Sequence, residues 1–346
     1  MAEVDRCLVV DGINLTSTGL IHRTNRKGLV MSVAVFHEHP EWNAPLFDEL
    51  DRRDLKWSEI DASSGEFDPT FVGGWDVLVN RMSPSAWTRG HMTAMLQTPE
   101  FLRNVESEGV PVINGSASYE FELSKRNQLE LLRREMVRHP EGRSVLNTGE
   151  IAAAANDLTF PVLVKPNIGG SGAGISEYQT PAELASAVEA GLVDDLGPDG
   201  SGIVQEKLAA REDSIVRVEI LDGRFLYAIK LRLQPGSFNL CPADYCDPAR
   251  GVADASDLVE GFIPPDHLID EAVRIVEATS ADLGGVEYLV SDLDGEAYFY
   301  DINALSNFVA DAANVVGFDP FVQLADFIEV RAGYRARPDC PKLSTP

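Results

Sequence analysis

Cysteine is scarce in this 346-residue sequence, present only as Cys7, Cys241, Cys246 and Cys340. No two form a CxxC pair and no histidine stands near them at zinc spacing, which argues against a structural zinc site. A disulfide framework is not expected in a chain of this size either, and Cys241 and Cys246, flanking the turn-like CPADYC segment, read as reduced thiols. There is no apolar run long enough to span a bilayer. The N-terminus carries charge inside its short apolar run and lacks a signal-peptide layout, so a cytoplasmic protein with no membrane partner is expected. Basic residues are few: 29 against 55 acidic ones, a net charge of −26. A nucleic-acid partner would need a basic footprint, so that class is excluded.

Lysine is rarer still. Only Lys27, Lys56, Lys125, Lys165, Lys207, Lys230 and Lys342 occur, and four of these seven lie between positions 125 and 230. A compact ammonium serves phosphate as a point charge, where arginine offers a planar fork. The concentration of lysine in that stretch marks it as a candidate phosphate-binding region.

The first 118 residues alternate apolar runs with polar stretches. The segments 7–12, 29–36, 75–81 and 110–115 read as buried strands ending in turn residues, with a helix-like piece over 87–109. Strands alternating with helices predict a small parallel α/β domain, whose ligands sit beyond the carboxyl ends of the strands. Asn80-Arg81 and Asn114-Gly115 fall at two such ends, as substrate contacts or as plain turn residues. Residues 120–140 predict one amphipathic helix with a stripe of Leu123, Leu129, Leu132 and Met136, followed by a linker and a short helix at 150–157. Beyond it lie a strand at 160–166, a helix at 181–192, a strand at 202–208, an Asp-Gly hairpin over 214–233, a helix at 266–283, a second hairpin over 285–303 and a last helix near 321–334.

Three clusters carry chemistry. Gly169, Gly170, Gly172 and Gly174, with Ser171 between them, allow a tight turn that presents successive N–H groups to phosphate oxygens, and Lys165 precedes them on a strand. This is neither a Walker A loop nor a dinucleotide GxGxxG. The strand bearing Gln205 and Glu206 suits a hinge that reads an adenine edge through its backbone and ribose hydroxyls through an acid. The third cluster sets Glu287 on one strand and Asp301 and Asn303 on its hairpin partner, two apart and so on one face. An all-oxygen set of this kind suits Mg²⁺, whereas Asp292 and Asp294 read as solvent-facing turn residues.

Taken in order, these pieces resemble the ATP-grasp superfamily, as in glutathione synthetase and D-alanine–D-alanine ligase, over roughly residues 112–310. The resemblance implies an α/β (α+β) fold: an N-terminal parallel α/β domain over 1–118, then a two-lobed ATP-grasp domain with antiparallel sheets, its small lobe at 119–202 and its large lobe at 203–346. It implies an ATP-dependent ligase that joins a carboxylate to an amine through an acyl phosphate, giving ADP and phosphate, on an amino acid, small peptide or natural-product precursor. A phosphotransferase acting on a small-molecule hydroxyl uses the same nucleotide residues and is the alternative; a nucleotide-binding regulator is disfavoured by the intact clusters. Lys125 and Lys165 match the phosphate lysines, Gly169 to Gly174 the mobile flap, and Gln205, Glu206, Lys207 and Leu208 the adenine hinge. Asp213 matches the ribose-side acid, Arg217 the arginine beside the transferring phosphate, and Lys230 and Arg232 a further basic site at the γ-phosphate. Glu287, Asp301 and Asn303 match the magnesium ligands, with aspartate at 301 where glutamate is commoner, so one or two Mg²⁺ (or Mn²⁺ in their place) are both accommodated. Arg81, Asn239, Cys241, Tyr245, Ser306 and Asn307 are candidate substrate contacts, and a homodimer is left open.

Overall fold

The structure is a computed structural model that describes residues 13–15, 21–23, 32–64, 68–193, 196–233 and 258–333. The expected strand at 7–12 and the candidate contacts Asn239, Cys241 and Tyr245 lie outside the described residues.

The first unit is built on a four-stranded parallel sheet in the order Lys56–Asp61, Ser32–His37, Val77–Asn80, Val112–Ile113. Val33 to Phe36 form a continuous apolar run because helices cover both faces of the sheet. Val33, Val35, Val77 and Val79 pack against Leu46 and Leu50 of the helix Pro40–Arg52, while Ala34, Phe36 and Leu78 pack against Met95, Phe101 and Leu102 of Met92–Ser107. The edge strand Lys56–Asp61 was not foreseen. Its KWSEID sequence is largely exposed and has no apolar alternation to reveal it.

The expected single helix over 120–140 is two, Ser116–Glu122 and Lys125–Arg134. Ser124 breaks them because its hydroxyl accepts the Asn127 N–H and caps the second helix. Leu129 and Leu132 are buried as the stripe predicts, but the helix ends before Met136, which is 88% exposed. The stretch read as a linker contributes Gly142–Val145, the edge of an antiparallel sheet ordered Gly142–Val145, Gly202–Glu206, Val162–Pro166, Ser176–Tyr178. This sheet therefore runs past the 202/203 boundary expected from sequence, since Gly202–Glu206 pairs on both sides within it.

The third sheet has five antiparallel strands in the order Val259–Phe262, Arg224–Arg232, Ser214–Leu221, Leu283–Val290, Ala297–Asn303. Asp222 and Gly223 both take positive φ, at 53° and 68°, as a two-residue hairpin turn requires. One face packs on Lys125–Arg134 and on Asp266–Ala278 through Leu132, Ile275 and Val276. The other shares a continuous core with the first unit, where Leu324 and Ile328 of Pro320–Arg331 join Leu46 and Leu50.

Asn114 fastens the two units. It takes a left-handed backbone (φ 55°), which asparagine tolerates. Its side-chain amide donates to the carbonyls of Leu283 and Ala304, at 2.7 and 2.6 Å, and accepts the N–H groups of Asp282 and Leu283, both at 2.9 Å. Asn80 in turn donates to the Asn114 carbonyl at 2.9 Å. Asn114 is therefore spent on holding the units together and Asn80 on bracing Asn114, and both are buried rather than exposed to a ligand. Asn114→Ala would leave four buried backbone groups without this partner. The expected loss, read by chemical denaturation, is roughly 2–4 kcal/mol of stability.

Candidate functional site

The three sheets converge on a cavity of about 760 Å³. Lys125, the first residue of its helix, reaches the Asp301 carboxylate and forms an ion pair with it. Burial pulls the Lys125 ammonium down, but Asp301 outweighs it and holds the group above its ordinary range. Lys165, on Val162–Pro166, donates to the Gln205 side-chain oxygen at 2.8 Å and lies 5.6 Å from the Tyr300 ring centre. Burial, and then repulsion from Lys125, lower it to about 8.

Glu287 and Asp301 are direct cross-strand partners, and Asn303 follows two residues on along the same strand. All three line the cavity. Glu287 is buried. One oxygen takes the Arg217 guanidinium at 3.0 Å and the other the Tyr300 hydroxyl at 2.9 Å. Burial and the neighbouring Asp301 carboxylate push its pKa up. Strict alternation would turn Tyr300 away from Asp301. The register shifts between Glu287 and Tyr288, so that Tyr300 is the extra residue of a β-bulge and reaches the same side.

Arg217 is buried and threefold held. Its Nε donates to Glu219 at 2.6 Å, one terminal nitrogen to Glu287 at 3.0 Å and the other to the Ser306 hydroxyl at 3.1 Å. Gly285 makes room for this pair, since a Cβ there would lie 2.8 Å from one Glu219 carboxylate oxygen and 3.0 Å from Arg217 Nε.

The glycine loop lines the cavity from Gly169 to Ala173, with Ser171 and Gly172 at φ 52° and 72°. A Cβ on Gly170 would lie 2.8 Å from that of Ser85, so the loop rests directly on the first unit. Gln205, Glu206, Lys207, Leu208 and Asp213 line the cavity as well. The N–H groups of Glu206 and Lys207 are already taken by the carbonyls of Glu141 and Pro161, at 2.8 and 2.9 Å, so neither of these two donors is open to a ligand. The Glu206 carboxylate accepts the Thr159 N–H at 2.7 Å, and Lys207 pairs with Glu177 at 2.6 Å.

Four expected site residues are placed elsewhere. Lys230 pairs in register with Val216, one position from Arg217, so alternation sends Lys230 and Arg232 to the other face of the sheet. They line a separate cleft of about 220 Å³ with Glu212 and Glu260, and Lys230 is bonded to Glu212. Arg81 is buried behind the cavity wall. It donates to Asn43 at 2.9 Å, to the Ser306 carbonyl at 2.6 Å and to the Asn307 side-chain oxygen at 3.0 Å. Burial lowers it to about 10. Ser306 is fully buried between Arg81 and Arg217, whereas Asn307 does line the cavity. Sequence reasoning missed Glu122, Tyr300, Trp42, Ser83 and Ser85, all cavity-lining. Glu122 is buried and accepts the Leu305 N–H at 3.1 Å, and burial raises it to about 7. Only Glu122 carried a signal, an acid three residues before Lys125.

Among the described residues, no three His, Cys, Asp or Glu side chains are grouped to hold a metal. The oxygen set is two carboxylates and one amide. It fits a hard divalent cation: the carboxylates converge, cations already neutralise them, and the Asn303 amide nitrogen is buried with no partner, leaving that amide free to turn its oxygen inward.

No family model matches the chain. Over 214 residues it is 26% identical to a formate-dependent phosphoribosylglycinamide formyltransferase of Bacteroides fragilis, covering 59% of this chain and 50% of that one. Over 165 residues it is 28% identical to D-alanine–D-alanine ligase A of Bradyrhizobium diazoefficiens, covering 46% and 42%. The chain thus spans about half the length of the curated relatives it matches. Solved structures align over most of it. D-cycloserine synthetase DcsG does so with a TM-score of 0.65 at 16% identity, covering 87% of this chain and 99% of that one. The ATP-grasp ligase PsnB, complexed with a precursor peptide and AMPPNP, gives 0.59 at 16%, covering 89% and 100%. D-alanine–D-alanine ligase from Bacillus anthracis complexed with ATP gives 0.61 at 17%, covering 89% and 100%. At these identities the likeness is one of fold, and the chain shares the fold of these ligases and synthetases.

Proposed function

We propose that this chain is an ATP- and magnesium-dependent ligase that joins a carboxylate to an amine through an acyl phosphate, releasing ADP and phosphate in the cytoplasm. The observation that carries the proposal is the meeting, in one cavity, of two lysines, a glycine loop, a buried arginine and the oxygen set Glu287, Asp301 and Asn303. The names of the solved neighbours support it, since they are ligases and synthetases. Nothing among the relatives supports a kinase acting on a hydroxyl.

Under this reading Lys125 and Lys165 hold phosphate oxygens as point charges, while loop N–H groups between Gly169 and Ala173 supply neutral donors. Magnesium, one ion or two, would sit on Glu287, Asp301 and Asn303 and neutralise charge on the phosphate chain. Arg217 orients the carboxylate and stabilises charge that develops as the amine attacks. The glycine loop, resting on Ser85, keeps water from the reactive intermediate. Asp213 and Leu208 are the hinge residues assigned to the nucleoside.

The test is ADP and phosphate release that requires both a carboxylic acid and an amine; a stable phosphorylated product would replace this reading with the kinase. Asp301→Ala should weaken Mg²⁺-dependent binding of a non-hydrolysable ATP analogue about tenfold or more by calorimetry. Unchanged binding would remove Asp301 from the metal site.

Lys165 titrates near 8 and is useful to phosphate only while charged. Affinity for the analogue should be flat below that pH and fall above it, approaching about tenfold per unit. Lys165→Arg should abolish the fall.

Gly285→Ala should drive Glu219 from Arg217. Turnover is expected to fall about 100-fold, while the affinity for the ATP analogue changes by less than about twofold, because Arg217 serves the transfer rather than the binding.

A further inference from the structure

Ala297–Asn303, which carries Asp301 and Asn303, is the outermost strand of its sheet among the described residues. One side of its backbone pairs with Leu283–Val290, and the polar groups of the other side need partners from elsewhere. The segment 121–138 supplies them. Gln128 is buried on the helix Lys125–Arg134, three residues after Lys125 and so on the same side of it. Its amide nitrogen donates to the Ile302 carbonyl at 2.7 Å, and its oxygen accepts the Ile302 N–H at 3.4 Å. The same nitrogen donates to the Phe121 carbonyl at 3.0 Å, so only one orientation of the amide satisfies all of these bonds. Farther back along the strand the Phe299 N–H donates to the Arg138 carbonyl at 2.9 Å, and past its end the Leu305 N–H donates to Glu122 at 3.1 Å.

Gln128 thus does for Ile302 what a neighbouring strand would do. Ile302 stands between Asp301 and Asn303. Those two side chains line the cavity, and alternation sends the Ile302 side chain the other way, into the core that also holds Leu131 and Leu132 of the same helix. Each of the two oxygen ligands is one peptide away from Ile302, so a shift of its backbone would swing both. The helix holds this stretch by Lys125 on the Asp301 carboxylate, by Gln128 on the Ile302 backbone and by its leucines in the shared core. Lys125 cannot fix the backbone alone. Its ammonium is a point charge on a flexible stem, whereas a donor and an acceptor on one planar amide set both distance and direction.

Resting on the metal and nucleotide roles proposed above, we infer that Gln128 is a positioning residue for the divalent cation. It acts through the Ile302 backbone, which it pairs on the strand's open side, and so keeps Asp301 and Asn303 turned together to the cavity.

Binding can be read without turnover. In the full chain, Gln128→Met keeps the length of the side chain and removes its bonds to Ile302 and Phe121. Measured by calorimetry, its affinity for AMPPNP in saturating Mg²⁺ should fall about tenfold, while its affinity in EDTA should change by less than about twofold. Gln128→Asn, which keeps an amide but stops a methylene short of Ile302, should show the same split. Ile275→Ala is the control for a structural effect. It opens a cavity under the same sheet from the helix Asp266–Ala278, should lower stability in chemical denaturation, and should leave both affinities within about twofold. Mg²⁺-dependent affinity unmoved in both Gln128 variants, an equal loss in EDTA, or an equal loss in Ile275→Ala would each overturn the assignment. A wild-type chain that binds AMPPNP equally well in Mg²⁺ and in EDTA would overturn it too. The expected split in the Gln128 variants, found together with a stable phosphorylated product, would instead remove the ligase reading and leave the positioning role in place.

Discussion

The site depends on the mutual neutralisation of charges taken out of water. Glu287, Lys165 and Arg217 are buried, and Asp301 and Lys125 are nearly so. An isolated charge in such a place is too costly to keep, and it persists only where an opposite charge and hydrogen bonds answer it. Lys125 answers Asp301, Arg217 answers Glu287, and Tyr300 completes Glu287. The partners come from a helix start, from strands of two different sheets and from a hairpin. Each must be placed to within a hydrogen-bond length, so the cluster fixes how the sheets are set against one another.

The welding of the first unit follows from the same demand. Ser306 lies between two buried arginines, accepting from Arg217 through its hydroxyl and from Arg81 through its carbonyl. Arg81 belongs to the parallel sheet's strand ends, and Arg217 to the antiparallel sheet. The turn after Asn303 is therefore gripped from both units, and Asn114 grips its base through the Ala304 carbonyl. Two guanidiniums so close would repel without Glu219, whose carboxylate takes Arg217 directly and whose charge also reaches Arg81. Gly285 is the gap through which this arrangement passes.

Much of this was legible in sequence because it rests on period and order. The Asp-Gly turn, the i, i+2 spacing of Asp301 and Asn303, and the lysines before the glycine loop are local, and local rules place them. The residues that escaped do so for reasons that are not local. Tyr300 joins the site through a bulge, which no alternation rule foresees. Lys230 was expected, by family resemblance, at the same phosphate as Arg217, yet register puts it across from Val216 and so on the other face. Arg81 was read as a contact because it ends a parallel strand, and Ser306 because it follows the strand that bears Asp301 and Asn303. Whether such a residue faces a ligand or a neighbouring domain depends on domain docking, which a single sequence does not encode. Trp42 gave no sign: His39 stacks on it from the same helix start, but Arg89 reaches it only from the segment after another strand of the sheet.

The charges also divide the cavity. Lys125, Lys165, Arg217, Glu287 and Asp301, which line it, come from the two antiparallel sheets and the helix Lys125–Arg134, and their partners hold them fixed. The end formed by the parallel sheet carries none, because its arginines are consumed in holding Asn307, Glu38 and Ser85. Arg81 and Arg89 are thus answered by Asn43, the turn after Asn303, Glu38 and Ser85, and neither lines the cavity; a strand-end cation here serves to set one unit against another, because a guanidinium with five donors is satisfied only where several acceptors from different segments meet it.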